Sequence, residues 1–483
     1  MSLVVAITGG CGFLGQHLAN HIAMHWPEVK QIRLLDLVPP RPGVVPSSPK
    51  FEFIRTSLTD LASLEEALRG VNVCYHLAAK VDWGQASMKT LWDINVRGTQ
   101  NVVNMCTKTG VRALVSTGSI EAVLDHRRSG LDLAETTPHS LGKTNTTYGR
   151  SKAHAEMIVL RSNAPGILNT AVIRPLAMYG PGDPWQCPSF IRSAKSVVLP
   201  PGLMIVRIGD GKAVFHSLYV ENGAHGLLLL GQRVWAEANG QKFSEPASGQ
   251  LFNVTDEPAN NLFDRYFPIM EGVCNDIDQT IPAWDTAPLC LGMRMAEMPP
   301  VPALSLPAPT PGKWRFKVPT RRIPFALAYL GAILVELVFW ALGFCPPLRR
   351  RIFPHGAPPM NRVSTTLIVT PISVNGDKIR RVLGYAPVVT QAEAYRRTIG
   401  WFRQLAKAKL PLTGGLPPGV KPGGGGWSDR PPPVGHVVHT ITVAWGFCEV
   451  DRCRKDGLHL LSASIRASWI SQRRSVMGDM LGM

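Results

Sequence analysis

The first part of the chain alternates short apolar runs with longer stretches in which apolar residues recur at helical spacing. Three runs have the length and composition of buried strands: residues 3–7 (LVVAI), 32–35 (IRLL) and 113–115 (ALV). Between the first two, Leu14, Leu18 and Ile22 recur every four residues, which predicts the buried face of a helix. Strands that alternate with helices in this order predict an α/β fold with a doubly wound parallel sheet.

A glycine-rich turn follows the first apolar run and precedes the first predicted helix. Residues 8–15 read TGGCGFLG, which places glycines at positions 9, 12 and 15. Such a turn lets the backbone approach a pyrophosphate, whose charge then lies at the positive end of the helix. The spacing alone also fits close helix packing, but the strand before it and the helix after it favour a dinucleotide site in a Rossmann-type fold.

An acidic residue ends the second predicted strand. Asp36 follows the glycine turn by about twenty residues, the distance at which a carboxylate binds the ribose hydroxyls of adenosine. Because this carboxylate would repel a 2′-phosphate, the sequence favours NAD over NADP, although Arg41 could soften that preference. The alternative is an ordinary turn-forming aspartate at the end of a strand.

Tyr148 and Lys152 are four residues apart in a predicted helix that continues to Leu160, so they share one helix face. A neighbouring ammonium lowers the pKa of a phenol, which makes the phenol a usable general base near neutral pH. A solvated helix face is the alternative. Upstream, residues 116–119 (STGS) bring hydroxyl groups to the carboxyl end of a predicted strand, where ligand sites of doubly wound sheets form.

Taken together, these motifs resemble those of the extended short-chain dehydrogenases/reductases, and most of all the 3β-hydroxysteroid dehydrogenase/isomerase family. The resemblance runs from about residue 3 to residue 405. The further segments that carry it are HLAA at 76–79, DINVRGTQN at 93–101, SIE at 119–121, IRP at 173–175, YGPG at 179–182, GDG at 209–211, YVEN at 219–222, LGY at 383–385 and WF at 401–402.

The resemblance implies a role for each matching residue. Tyr148 is the acid/base, Lys152 binds ribose and tunes Tyr148, and Ser119 hydrogen-bonds the reacting oxygen. Asn95 orients the site through its helix, with a packing asparagine as the alternative. The implied NAD contacts are Gly9, Gly12, Phe13, Leu14, Gly15, Asp36, Ala78 and Lys152.

Several positions depart from the family pattern. Ser57 stands where the family has an aspartate near the adenine amino group, and Asp60 is instead expected to cap a helix. Gly118 replaces a hydroxyl residue commonly seen beside the catalytic serine, and residues 122–124 (AVL) replace the usual ending of that segment. A lower cofactor affinity and a different substrate wall are therefore expected.

Composition allows one nucleotide-binding domain and a smaller C-terminal substrate lobe within 483 residues, 45% of them hydrophobic. Nine cysteines lack paired metal-ligand spacing, which favours a reducing compartment and no metal site. The apolar start fits a strand better than a secretory signal.

Charge is concentrated in the C-terminal part. Residues 1–312 hold 26 basic and 26 acidic side chains, whereas residues 313–483 hold 25 and 8, so the whole excess of +17 lies there. The basic residues flank an apolar stretch, Ile323 to Cys345: Lys313, Arg315, Lys317, Arg321 and Arg322 precede it, and residues 349–351 (RRR) follow it.

This apolar stretch is long enough to span about 30 Å of hydrocarbon. Glu336 in its middle counts against a simple span, so an interfacial helix and a helix docked on the substrate lobe are alternatives. The stretch is interpreted as a membrane-associating helix. The family resemblance implies attachment to the endoplasmic reticulum membrane with a cytosolic catalytic domain.

Four regions are predicted along the chain. Residues 1–276 form the NAD-binding domain with part of the substrate lobe, and residues 277–312 form a proline-rich connector, with a partner-binding segment as the alternative. Residues 313–410 hold the apolar helix and the rest of the lobe. Residues 411–483 form a Pro/Gly-rich basic tail, predicted to be largely disordered and without a specific nucleic-acid partner.

The predicted function is NAD-dependent oxidation of a 3β-hydroxyl on a steroid or sterol. Walls for the sterol are expected from residues 81–86 and 178–185. The alternatives are another substrate, such as a 4-carboxysterol, a flavonoid-like ketone or a nucleotide sugar, or a catalytically silent NAD-binding protein. The resemblance also permits a homodimer, and no isomerase step is assigned.

Overall fold

The computed structural model describes residues 3–40, 48–81, 87–125, 129–195, 207–211, 213–256, 260–275, 322–348 and 362–407. These stretches all belong to one compact unit. The proline-rich connector and the basic tail predicted from the sequence lie outside the described residues.

The strands, in chain order, are β1 (Leu3–Thr8), β2 (Val29–Asp36), β3 (Phe51–Arg55), β4 (Val73–His76), β5 (Ala113–Thr117), β6 (Gly130–Leu133), β7 (Asn169–Pro175), β8 (Ala177–Tyr179), β9 (Arg207–Ile208), β10 (Val214–Phe215), β11 (Ser217–Tyr219), β12 (Leu251–Val254), β13 (Asn260–Asn261), β14 (Arg322–Ile323) and β15 (Ile372–Val374). Seven of them form one parallel sheet in the order β3-β2-β1-β4-β5-β7-β12. The chain therefore has the predicted Rossmann-type, doubly wound sheet.

The strand order reverses at β1, whose last residue, Thr8, pairs with Leu35 on β2 and with His76 on β4. Ligands of doubly wound sheets bind outside the carboxyl ends of the strands at this switch point. The glycine turn at residues 8–15 leaves the sheet at the same place. The topology thus directs the search for a site to this edge.

The helices, in chain order, are α1 (Phe13–His25), α2 (Leu61–Leu68), α3 (Met88–Leu91), α4 (Gly98–Thr109), α5 (Thr147–Arg161), α6 (Gln186–Lys195), α7 (Val220–Ala238), α8 (Leu262–Asn275), α9 (Phe325–Ala341), α10 (Arg362–Val369), α11 (Asp377–Leu383) and α12 (Gln391–Lys407). A π-helical turn, Trp92–Arg97, joins α3 to α4. Helices α1 and α7 cover one face of the large sheet, and α2, α4 and α5 cover the other. Both faces are therefore buried, as the apolar runs predict.

A second, smaller lobe is built from segments that are far apart in the sequence. A four-stranded sheet has the order β13-β10-β15-β6, and β6 precedes the last strands of the large sheet in the chain. The lobe has its own core of large side chains, including Tyr179, Tyr219, Tyr266 and Phe402. This smaller lobe is thus interleaved in the chain with the strands of the large sheet.

Helix α9 occupies the apolar stretch predicted to associate with a membrane. Its start is held by pairing of β14 with β9 and by Ala328, which packs with Phe267 and Met270 of α8. Many of its large apolar side chains are exposed: Phe325, Leu327, Leu330, Leu334, Leu337, Val338 and Trp340. Among the described residues, Phe325–Phe344 is long and apolar enough to cross a membrane, by length and composition only.

Gly231 gives a test of how closely α7 packs on the sheet. A Cβ at this position would lie 1.8 Å from the hydroxyl oxygen and 2.4 Å from Cζ of the fully buried Tyr75 on β4. We expect Gly231→Ala to lower the free energy of unfolding by about 1–3 kcal/mol, because the core must be overpacked. Denaturant titration of the full chain measures this loss.

The matched control is Gly331→Ala in α9, where a Cβ has no described atom within 4 Å. Alanine is the better helix former, so this variant should be neutral or slightly more stable. Equal stability changes in the two variants would contradict the packing described for α7.

Candidate active site

The glycine turn is tight at two of its three predicted positions. Gly9 has a φ of +69°, and a Cβ there would lie 2.8 Å from the backbone nitrogen of Ala78. A Cβ on Gly15 would lie 2.2 Å from the carbonyl oxygen of Gly9. Gly12 is the N-cap of α1 and offers no side-chain cap, so the first amides of the helix are free of a capping side chain. This arrangement suits an anionic phosphate at the helix N-terminus.

Asp36 is bonded to the glycine turn. Its Oδ2 accepts a hydrogen bond from the Cys11 amide at 3.1 Å, and its Oδ1 accepts one from the Leu37 amide at 2.7 Å. Burial raises the pKa of this carboxyl, and the backbone hydrogen bonds oppose that rise. These hydrogen bonds are those of a turn-forming aspartate, which was the alternative interpretation. The ribose-binding role stays a prediction.

The other predicted cofactor residues surround the same edge. Phe13 is half-buried at the start of α1, and the amide of Ala78, after β4, donates to the Thr8 hydroxyl at 3.3 Å. The side chain of Leu14 is buried in the core, which leaves its backbone for a ligand. The turn, Asp36 and Ala78 therefore form a cradle that fits a dinucleotide.

Tyr148 lies on the first turn of α5, which Thr146 caps by accepting a hydrogen bond from the Gly149 amide at 2.9 Å. Its side chain is buried, and burial raises the pKa of the phenol well above its usual value. A hydrogen bond with the Ser119 hydroxyl lowers this pKa in part, while Glu121 and Glu156 raise it further. The structure therefore brings Tyr148 and Ser119 together, as predicted.

The structure differs from the sequence-based expectation for Lys152. Its ammonium donates to the carbonyl oxygen of Thr117 at 2.7 Å, at the end of β5. Burial lowers the pKa of Lys152 to about 8, and Glu156 opposes that shift. The low phenol pKa expected from a neighbouring ammonium is not found here, because desolvation of Tyr148 outweighs the groups that favour phenolate.

Asn95 holds backbone rather than facing open space. Its Oδ1 accepts from the Lys80 amide at 2.7 Å, and its Nδ2 donates to the Lys80 carbonyl at 3.0 Å and to the Ser151 hydroxyl at 2.9 Å. It sits in the π-helical turn and is almost fully buried. Asn95 thus ties the loop after β4 to α5, an arrangement that also suits the alternative of a packing asparagine, and its orienting role stays a prediction.

Other predictions have mixed outcomes. Asp60 caps α2 by accepting from the Ser63 amide at 3.2 Å, as expected. Of the expected substrate walls, residues 82–86 lie outside the described residues. In the other wall, Tyr179 is fully buried in the lobe core. Asp183 accepts hydrogen bonds from the amides of residues 185–187 at the start of α6. Much of the 178–185 segment is therefore structural.

Sequence reasoning missed a buried group behind Ser119. The Glu156 carboxylate receives hydrogen bonds from Arg174 on β7, from the backbone amide of Ser119 and from His139. The spacing of Tyr148 and Lys152 gives no signal for this group, since the three residues that bond Glu156 come from three separate parts of the chain.

Comparison with known proteins gives a consistent result. The model of a family described as the 3-beta hydroxysteroid dehydrogenase/isomerase family matches residues 6–281. The "3beta-hydroxysteroid-dehydrogenase/decarboxylase isoform 2" of Arabidopsis thaliana is 28% identical over 83% of this chain, and the chain spans only 62% of the length of that relative. The mouse "sterol-4-alpha-carboxylate 3-dehydrogenase, decarboxylating" is 24% identical over 83% of this chain and 92% of its own length.

A solved structure supports the fold. The dTDP-glucose 4,6-dehydratase DesIV of Streptomyces venezuelae, solved with NAD bound, superposes with a TM-score of 0.53. It is 19% identical and covers 85% of this chain and all of its own chain. At this identity, the likeness bears on the fold alone.

Proposed function

Because the chain belongs to the 3-beta hydroxysteroid dehydrogenase/isomerase family, we propose that it oxidises the 3β-hydroxyl of a steroid or sterol with NAD. The observation that carries the proposal is the hydrogen-bonded Tyr148 and Ser119 pair, one helical turn from Lys152 and at the same sheet edge as the glycine turn. A base beside a dinucleotide cradle is the arrangement that alcohol oxidation needs.

Each residue has a distinct task in this proposal. The α1 N-terminus and the turn at Gly9, Gly12 and Gly15 bind the pyrophosphate, and Asp36 binds the adenosine ribose. Lys152 binds the ribose next to the nicotinamide, and NAD supplies the hydride acceptor. Tyr148 takes the proton of the alcohol at its phenolic oxygen, while the Ser119 hydroxyl orients the same alcohol oxygen.

A second candidate function is the decarboxylating oxidation of a 4-carboxysterol. The names of two relatives, from Arabidopsis thaliana and from mouse, favour it. The chemistry at Tyr148 is the same in both cases. Oxidation next to a carbon that bears a carboxylate produces a β-keto acid, which loses carbon dioxide readily.

Turnover assays with the full chain in detergent distinguish these functions. The chain is incubated with NAD and a panel of 3β-hydroxysteroids, 4-carboxysterols and nucleotide sugars, while NADH absorbance and product mass are followed. Retention of all carbons supports simple oxidation, and loss of one carbon dioxide supports the second candidate. Tight NADH binding without turnover of any steroid would overturn both and favour a catalytically silent NAD-binding protein.

We further propose that α9 attaches the protein to a membrane. The resemblance to the family suggests that this is the membrane of the endoplasmic reticulum. Exposed leucines at 327, 330, 334 and 337 recur three and four residues apart, so they share one face of the helix. Helix α10 packs against α9, and Ala328 and Ala332 are its buried positions. The exposed face is the part of α9 available to lipid.

Replacing Leu330, Leu334 and Leu337 with serine is expected to move the protein from the membrane fraction to the soluble fraction. Each substitution removes about 1.5–3 kcal/mol of apolar burial in lipid, so the three together weaken attachment by about 4.5–9 kcal/mol. Flotation of cell membranes or liposomes measures the distribution.

The matched control replaces two equally exposed apolar residues elsewhere, Leu131 on β6 and Ile167 before β7. This variant should keep the wild-type distribution. If the α9 variant also stays with the membrane, attachment by this helix is wrong.

A further inference from the structure

A buried ion pair lies directly behind the segment that carries Ser119. Glu156 on α5 and Arg174 on β7 each have side chains only 1% exposed. The Arg174 Nε donates to both carboxylate oxygens, at 3.1 and 2.9 Å, and its Nη2 donates to Oε2 at 2.6 Å. His139 Nε2 lies 2.8 Å from the same Oε2. The carboxylate is thus held rigidly between a helix and a strand.

The remaining hydrogen bond of this carboxylate is to the catalytic segment. The backbone amide of Ser119 donates to Glu156 Oε1 at 3.0 Å. The hydroxyl of the same serine meets the Tyr148 phenol and also accepts from the Glu121 amide at 3.2 Å. The ion pair therefore sets where the backbone of Ser119 lies, and through it the position of the hydroxyl.

Gly118 is shaped to this carboxylate. A Cβ at position 118 would lie 2.1 Å from Glu156 Oε1 and 3.1 Å from Arg174 Cγ. Gly118 is not among the glycines with a positive φ, so backbone conformation does not demand glycine here. The space that a side chain would fill is occupied by the Glu156 carboxylate, so the arrangement seen here leaves room only for glycine.

We propose that Gly118 and the Glu156–Arg174 ion pair form an anchor that fixes Ser119 at the carboxyl end of β5, which makes Glu156 a positioning residue for the Tyr148 site. A buried pair of this kind often contributes little net stability over apolar side chains, because both charges must be desolvated. Its value here lies in directing a rigid acceptor at the Ser119 amide. The kinetic part of this inference rests on the proposed oxidoreductase function.

The first test compares Gly118→Ala with the wild type. The added methyl group displaces the carboxylate without removing either charge. We expect kcat to fall by about ten- to a hundred-fold, since a displacement of about 1 Å at a reacting group has effects of this size, while the KM for NAD changes less than about two-fold. An unchanged kcat would overturn the proposal.

The second test asks whether Gly118 acts through Glu156. In the double variant Glu156→Ala/Arg174→Met, both charges and the obstructing carboxylate are gone, so adding Gly118→Ala should lower kcat by less than about two-fold further. An equal penalty in both backgrounds would mean that the two residues act independently, and the anchor would be refuted.

A third measurement needs no turnover. Hydrogen exchange of the peptide that contains Ser119 should quicken in Gly118→Ala, which displaces the acceptor, and in Glu156→Ala, which removes it. If exchange stays as slow as in the wild type, Glu156 does not anchor the segment. This result stands even if no steroid is turned over, in which case the proposed function alone fails.

Glu237 provides a matched control. Its carboxylate is also nearly buried, lies near Arg233, and accepts the amides of Ala247 and Ser248 at 2.7 and 2.8 Å, but at the amino end of β12. Glu237→Ala removes this acceptor and should leave kcat and Ser119 exchange unchanged. If the Glu237 and Glu156 variants lost kcat equally, the loss would come from general destabilisation and not from the position of Ser119.

Discussion

Replacing Tyr148 with phenylalanine is expected to lower kcat by about 10³-fold, within the range for loss of a general acid/base. The substitution removes one oxygen from a buried side chain that hydrogen-bonds Ser119, and phenylalanine keeps the ring that packs there. The proton of the alcohol oxygen then has no phenolic oxygen to accept it. Steady-state NADH formation by the purified full chain measures the loss.

Two controls make this result specific. Tyr75→Phe removes the hydroxyl of another buried tyrosine, whose oxygen has no described partner and lies under α7, so kcat should stay near the wild-type value. NADH binding to the Tyr148 variant should also persist, because the glycine turn is untouched. If Tyr148→Phe kept more than about a tenth of wild-type turnover, the general-base role would be wrong.

The oxidation should also speed up as the pH rises. Burial raises the pKa of Tyr148, so the phenolate that accepts the proton is the minor form at neutral pH and becomes more populated in alkali. The test window lies below the pKa of Lys152, which is about 8, so that its ammonium is retained. A rate that falls between pH 6 and pH 7.5, with the protein still folded, would contradict this assignment.

Replacing Gly15 with alanine is expected to weaken NADH binding by about a hundred-fold. The added Cβ would lie 2.2 Å from the Gly9 oxygen and 2.7 Å from Gly10 Cα, and backbone atoms cannot move aside as a flexible side chain can. An opened turn would hold the pyrophosphate less closely, and the loss of one or two charge-assisted hydrogen bonds of about 1.5–3 kcal/mol each corresponds to about a hundred-fold or more in affinity. Titration followed by NADH fluorescence measures the dissociation constant.

Gly12→Val covers the case in which the Gly15 variant fails to fold. Gly12 is exposed, and a Cβ there would lie 3.2 Å from the Gly9 oxygen, a much milder contact than the 2.2 Å at Gly15. The turn then needs to yield only slightly while the side chain fills the cradle. Gly142→Ala is the control, since its Cβ would meet only the Thr144 hydroxyl at 3.8 Å. Unchanged NADH affinity in both cradle variants would exclude this turn as the dinucleotide site.

Local signals in the sequence were sufficient for part of the site. The first apolar run and the glycines after it predict β1, the turn and α1, because strand, turn and helix are contiguous. The same holds for Asp60, which caps α2 by accepting a hydrogen bond from the amide of Ser63, three residues later in the chain. Helix α9 was equally visible, since its apolar composition is a property of one segment.

The local argument failed where burial decided the chemistry. The four-residue spacing of Tyr148 and Lys152 predicts a lowered phenol pKa, and the structure shows a raised one, mainly from burial. Spacing places two side chains on one helix face, but the solvent around them depends on what packs over that face. The sequence alone could not supply that information.

What the sequence by itself determined is the alternation of the first strands and helices, the glycine turn after β1, the placing of Tyr148 and Lys152 on one helix, and the apolar helix α9, because each depends on neighbouring residues. Only the tertiary structure decided that β6 joins the lobe sheet, that Asn95 bonds the loop after β4, and that Glu156 and Arg174 hold Ser119. These contacts join residues that are distant in the chain, and the energy that selects them comes from packing and desolvation in the folded molecule.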